Sequence, residues 1–232
     1  MKHKIFLAAL LAIAHLNLFG AVYFTTDGIQ YSSYDCPPGE VMVKFENANH
    51  SEYDRKPNYP NLTEVTIPSS VTYKGTPYRV TSIWFHAFND CPVLTSVTLP
   101  NSIRSIGSSA FARCRSLTSV TLVEGLIEIQ SGAFENCIRI STITIPSTVT
   151  TIEGDAFEGC SSLQSVKINC APSMIDIAYG AFPSHTRVTF SDGTVMMNGA
   201  IVTQKKSTPQ KNNSSSLNKQ SSSKESKPGL TK

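Results

Sequence analysis

"SGAFENC" (131–137) returns as "SSAFARC" at 108–114, as "GDAFEGC" at 154–160 and, more loosely, as "FHAFNDC" at 85–91. Each copy lies 23 residues from the next. A short word at a fixed interval marks a chain whose segments pack against copies of themselves. One such segment cannot bury its own apolar side, whereas a stack of them makes a continuous core.

Aligned on that word, the chain reads LTSVTLPNSIRSIGSSAFARCRS (94–116), LTSVTLVEGLIEIQSGAFENCIR (117–139) and ISTITIPSTVTTIEGDAFEGCSS (140–162). A further copy starts at Leu163 and reaches Phe182 two residues late. An earlier one starts at Leu62 and is lengthened by TYKGTPYRV (72–80). In LTSVTL, alternation turns Val97 and Leu99 to one side and Ser96 and Thr98 to the other, and the β-branched content predicts a short strand. Stacked copies then pair as a parallel sheet about 4.8 Å apart. Ile103 and Ile106 point back into the core on the return path. Ala110, Phe111 and Cys114, at i, i+1 and i+4, read as one face of a single helical turn. Phe88, Phe111, Phe134, Phe157 and Phe182 are expected to form one column. A period of this length carrying L-x-x-L-x-L predicts a leucine-rich-repeat solenoid. The expected fold class is an α/β solenoid of ~23-residue coils, with a parallel sheet on the concave side, single helical turns on the convex side and β caps at both ends.

The ends read differently from the middle. MKHK, an apolar stretch of about fifteen residues and a small-residue exit describe a secretory signal peptide over 1–20. That stretch is shorter than the roughly 20 residues a spanning helix needs. Residues 21–61 read as an N-terminal β cap, with a hairpin at Asp27-Gly28, and 62–185 as the solenoid of about five repeats. Asn198-Gly199 between apolar runs predicts a C-terminal hairpin cap over 186–203. Residues 204–232 are rich in Lys, Ser, Asn and Gln and are expected to be disordered. That tail carries seven Lys against Glu225, which hides the charge of the remainder. Between 21 and 202 there are 11 basic and 16 acidic residues, a net of −5. An acidic folded part argues against nucleic acid as partner.

Four of the six cysteines (Cys91, Cys114, Cys137 and Cys160) belong to the repeat. Helical turns would hold neighbours about 8–10 Å apart, beyond the roughly 7 Å reach of a disulfide, so free, buried thiols are expected. Cys36 and Cys170 should lie at opposite ends. No metal-ligand spacing, phosphate loop or nucleophile elbow is present, and no cofactor is expected. His86, Asp90 and Cys91 are the best catalytic constellation. Yet Cys91 holds the buried repeat position, so the reading is non-enzymatic. Asn49 and Asn61 begin glycosylation sequons that matter only where the source glycosylates exported proteins.

The candidate partner-binding residues are the outward strand positions Glu64 and Thr66, Ser96 and Thr98, Ser119 and Thr121, Thr142 and Thr144, Ser165 and Lys167. They would form a hydroxyl-rich stripe along the sheet, although Thr is also simply a good exposed strand residue. Trp84 and Phe85 occupy offsets held by small or polar residues in later copies. They read either as a binding anchor or sugar-stacking platform, or as packing beneath the inserted segment with Tyr73 and Tyr78 nearby.

LTSVTLPNSIRSIGSSAFARC (94–114) closely resembles the BspA-like leucine-rich repeats, and the opening DGIQYS…VTIPSSVTYKGTPYRVTSI resembles that family's N-terminal segment. The resemblance covers about residues 24–190. It implies a curved solenoid and a secreted or cell-surface, non-catalytic role in adhesion to host proteins, glycans or other cells. The alternative is a glycan-binding or structural component of the cell envelope. The expected partner is an extracellular protein or glycan, with no transmembrane segment after signal removal and a monomeric state. One departure stands out. Ser102, Gly125 and Thr148 occupy the offset where the commonest leucine-rich repeats place an Asn or Cys rung.

Overall fold

The computed structural model describes residues 15–16, 21–44 and 59–203 of the 232-residue chain. The signal-peptide reading therefore falls outside the described residues except at His15–Leu16, and the 204–232 reading falls outside them altogether.

The chain enters as an antiparallel meander. β1 (His15–Leu16) pairs with β2 (Val22–Thr26), β2 with β3 (Ile29–Ser32), and β3 with β4 (Glu40–Lys44). β5 (Glu64–Thr66) opens the first coil, and the insertion forms a hairpin of β6 (Ser70–Tyr73) and β7 (Thr76–Ile83) through Lys74 and Gly75. β7 also pairs in parallel with β4 and so ties the meander to the stack. Phe24 is the knot of this junction. Its ring stacks on Tyr73 at 4.8 Å and Tyr31 at 5.6 Å, with Tyr78 at 6.1 Å.

Each later coil supplies two short strands: β8 (Ser96–Thr98) and β9 (Ser105–Ile106), then β10 (Ser119–Thr121) and β11 (Glu128–Ile129). Next come β12 (Thr142–Ile145) and β13 (Thr151–Ile152), then β14 (Ser165–Ile168) and β15 (Asp176–Ile177). The chain continues through β16 (Arg187–Phe190), β17 (Val195–Met197) and β18 (Ala200–Thr203). The second strands join the N-terminal meander in one sheet, β1-β2-β3-β4-β7-β9-β11-β13-β15, with β6 on β7. The first strands form two separate sheets, β5-β8-β10 and β12-β14-β16-β17-β18. Coils thus pair in parallel on two sides, and the 23-residue interval sets the register: Val97 opposite Val120, Ile106 opposite Ile129.

The third side corrects the expected fold class. It holds no helical turn, and the coils are β throughout. The only helical element among the described residues is the 3₁₀ turn Pro172–Met174. A helix needs every residue at negative φ, near −63°. Here the residues two before and two after each Phe are left-handed: Ser109 at 53° and Arg113 at 61°, Gly132 at 64° and Asn136 at 58°, Asp155 at 60° and Gly159 at 69°. The backbone donors consequently alternate in direction. The N–H groups of Ser109, Phe111 and Arg113 reach along the stack to the carbonyls of Ser131, Ala133 and Glu135, at 3.0, 2.8 and 2.7 Å. Those of Ala110, Ala112 and Cys114 close tight turns onto Gly107, Ser109 and Phe111. A helix would spend all its donors within one coil; this ladder ties each coil to the next.

The spacing follows from that. Phe88, Phe111, Phe134, Phe157 and Phe182 form the expected column, with ring centroids 5.1–5.3 Å apart and nearly parallel. The turn side is therefore little wider than a strand, well short of the roughly 8–10 Å that packed helical turns would need. The cysteines are free, as expected, but for a different reason. Neighbouring coils are close, and the thiols of the repeat are engaged by backbone. Cys114, Cys137 and Cys160 donate to the carbonyls of Phe88, Phe111 and Phe134 in the preceding coil, each at 3.1 Å.

Close seating makes one glycine obligatory. A Cβ on Gly107 would lie 2.7 Å from the Phe85 nitrogen and 2.9 Å from both the Ile83 oxygen and the Trp84 carbonyl carbon. All three are backbone atoms of the neighbouring coil, which cannot swing aside. Gly107→Ala is expected to destabilise by about 1–3 kcal/mol, read as a lower denaturant midpoint. An unchanged midpoint would show that the coils are free to part.

Candidate partner-binding face

The outward strand residues line up by backbone register. Glu64, Ser96 and Ser119 make one row across β5, β8 and β10, and Thr66, Thr98 and Thr121 the next. On the second sheet, Thr142 pairs with Ser165 and Thr144 with Lys167. Their inward neighbours Val65, Val97, Ile143 and Val166 are buried, whereas the stripe residues are exposed, apart from half-buried Ser96. The same pleat thus makes both the core and the candidate face. Between coils the edge of this face is clamped by hydroxyls: Thr95 donates to the Thr63 carbonyl at 2.8 Å, and Thr118 to the Thr95 carbonyl at 3.2 Å.

The stripe differs from its expected form in two respects. It is carried on two sheets, because β10 and β12 do not pair. It also runs further than the sequence indicated. β16 continues the parallel register, placing Arg187 beside Ser165 and Thr189 beside Lys167. The segment expected as a hairpin cap, 186–203, thus opens with a strand, Arg187-Val-Thr189, whose alternation matches the repeat strands. Lys167 and Arg187 make the later rows basic, while Glu64 starts the first.

Trp84 and Phe85 do not join the stripe. They follow β7, which belongs to the other sheet, and both are half-buried. Trp84 donates its backbone N–H to Val43 at 2.9 Å, and its ring meets that of Phe85 at 5.1 Å. Phe85 in turn packs edge-on against His86 at 5.6 Å. Tyr73 and Tyr78 pack around Phe24 instead, so the expected grouping under the insertion is not formed.

The catalytic constellation fares no better. Cys91 is fully buried, and the adjacent Cys114 thiol together with burial pushes its own thiol far up. It cannot supply a thiolate near neutral pH. Among the described residues no three His, Cys, Asp or Glu side chains converge as metal ligands, and no helix is long and apolar enough to cross a membrane. The offset of the missing rung is used irregularly. The Thr148 hydroxyl accepts from Gly125 N–H at 2.8 Å and donates to Leu126 at 2.7 Å, while the buried Ser102 hydroxyl has no partner. Of the two sequon residues, Asn61 is exposed and Asn49 lies outside the described residues.

With register and ring column in place, the comparisons are decisive. The BspA type leucine-rich repeat region matches in six copies across residues 81–193. A leucine-rich repeat protein of Bacteroides capillosus is 30% identical, with 98% of its chain and 63% of this one covered, at a TM-score of 0.52. The chain belongs to the BspA-type leucine-rich-repeat family.

Two other solved leucine-rich repeat proteins share 27% identity at a TM-score of 0.56. One is a leucine-rich repeat protein of Bacteroides ovatus, where 70% of this chain covers 39% of that one. The other is the leucine-rich repeat protein of T. pallidum, where the shares are 72% and 70%. The chain thus spans well under half the length of the B. ovatus protein. No protein of curated function matches it.

Proposed function

We propose that this BspA-type protein is exported and acts at the cell surface or in the surrounding medium. There it binds an extracellular partner, a protein in the first place, and performs no catalysis. The observation that carries this reading is the stripe itself. Serine and threonine side chains stand in register along each of the two sheets, exposed apart from half-buried Ser96. Hydroxyls held at about 4.8 Å intervals present paired donors and acceptors to an extended partner. Solenoids offer their strand faces for such contacts because each added coil lengthens the face without altering the core. The signal-like N-terminus and the family membership support export.

The test uses the purified chain against arrays of extracellular matrix proteins and of polysaccharides. The double variant Thr121→Glu, Thr144→Glu places charge on both sheets without touching the core. It is expected to weaken partner binding at least tenfold at an unchanged thermal midpoint. Retained affinity would remove the stripe from the proposal. Binding confined to polysaccharides would instead favour a glycan-binding or structural envelope component. Cell fractionation checks the location.

A further inference from the structure

The ring column finishes differently at its two ends. At the N-terminal end Phe88 is covered by Tyr59, which belongs to no AFxxC word, with the two rings 5.4 Å apart. Tyr59 is itself buried, and its hydroxyl donates to the Lys44 carbonyl at 3.2 Å. At the C-terminal end Phe182 stacks on Phe157 at 5.2 Å, and among the described residues no ring lies on its other side. Phe182 instead lines a cavity of about 160 Å³, walled by Val188, Met196 and the Asn198-Gly199 turn. The cavity exists because one sheet outruns the other: β16, β17 and β18 continue past the last coil, while β15 ends the opposite side. Tyr179 stands at its rim, 89% exposed, with its ring 3.7 Å from where a Cβ on Gly199 would stand.

The backbone is interrupted at the same point. Each earlier Phe donates its N–H to the alanine carbonyl just before the next ring. Phe88 bonds Ala110, Phe111 bonds Ala133, Phe134 bonds Ala156 and Phe157 bonds Ala181, all at 2.7–2.8 Å. The Phe182 N–H has no such acceptor among the described residues. The position beyond Phe182 thus lacks two things together, a ring and the carbonyl of the residue that precedes it. An apolar cavity of about 150 Å³ takes one benzene ring, so the space is of the right size. Residues 204–232 contain no Phe, Tyr or Trp, and that segment offers no ring to fill it.

We propose that this cavity binds an aromatic residue carried on an extended segment of a partner polypeptide. The partner's ring stacks on Phe182 and continues the column. The carbonyl of its preceding residue accepts from the Phe182 N–H, as Ala181 does from Phe157, and Tyr179 covers the open side. Main-chain pairing then gives register and the ring pocket gives selectivity, as when a peptide strand is added to a sheet. The coupling of a ring to a preceding amide carbonyl favours a polypeptide over a sugar. The hydroxyl stripe lies on the outward face of the same sheet and the cavity on its inward side, so the two sites stand or fall separately.

N-Acetyl-L-phenylalaninamide carries both features, and its titration into the purified chain, followed by NMR, tests the site. The Phe182 amide signal is expected to shift and saturate in the low millimolar range, as suits one ring and one hydrogen bond. N-Acetyl-L-leucinamide and methyl β-D-glucoside should each bind at least fivefold more weakly. Tyr179→Ala should weaken binding at least threefold at an unchanged thermal midpoint, because that side chain is exposed. Met196→Trp fills the space from within and should abolish binding. The absence of a saturable Phe182 shift would overturn the proposal, as would leucinamide or glucoside binding as tightly as the phenylalanine compound. So would undiminished binding by Tyr179→Ala or by folded Met196→Trp.

Discussion

Truncation of Phe134 to alanine is expected to cost about 3–5 kcal/mol, a large share of the 5–15 kcal/mol that holds a typical domain folded. The ring is fully buried and stacks on both neighbours, Phe111 at 5.3 Å and Phe157 at 5.1 Å. Its backbone is fixed by the N–H bond to Ala156 at 2.7 Å, so the coil cannot slide inward to fill the void. Residual cavity volume is what raises such costs. Coupling between coils sharpens the effect, because stability in a solenoid resides largely in nearest-neighbour interfaces and an interior ring serves two of them. Phe182→Ala is the comparison. That ring is partly exposed and has one partner in the column, Phe157 at 5.2 Å, so the loss should be markedly smaller. Denaturant midpoints of the two variants check the order. Equal losses would show that the column does not act as a cooperative stack.

The second large effect is a loss of stability in alkali. Burial raises the Cys137 thiol well above its ordinary value and pushes the Cys160 thiol up to about 12; the Cys91 thiol is raised first by its hydrogen bond with the Cys114 thiol and then by burial. The physical cause is shared, since a thiolate in this column would lose its water and face the carbonyl oxygens that the thiols address. A group whose folded pKa lies above its unfolded one stabilises fully below the unfolded value. That contribution is lost as pH rises towards the folded value. The window therefore opens near the ordinary thiol value of about 9 and extends to about 12. Within it each of the three thiols should weaken the folding equilibrium roughly tenfold per pH unit. Urea midpoints measured from pH 8 to 10.5 check the slope, and Cys137→Ala should remove about one thiol's share. A flat profile would mean that the cysteines titrate as they do in the unfolded chain.

The stack was legible in the sequence because its information is local and repeated. The 23-residue interval fixes which residues can meet, so Phe111 had to lie near Phe134. Two-residue alternation fixes which side chains of LTSVTL face inward. The conformation of the AFxxC word is not legible from side-chain spacing, for a physical reason. Spacings of i, i+1 and i+4 bury the same side chains in a helical turn and in paired left-handed turns. The distinguishing signal sat at the flanking offsets, where Gly132, Asp155, Asn136 and Gly159 are residue types that tolerate positive φ. The coil spacing on that side depends on this choice of conformation, and so does the separation of neighbouring cysteines.

The sequence by itself determined the repeat, its register, the ring column and the outward hydroxyl positions, because each follows from identical segments packing on identical segments. Only the tertiary structure decided that the turn side is nearly as narrow as a strand and that the stripe is carried on two sheets. It alone separated Trp84 and Phe85 from that stripe. These depend on where backbone donors point once the coils are seated, and on where the stacking stops, neither of which side-chain periodicity encodes.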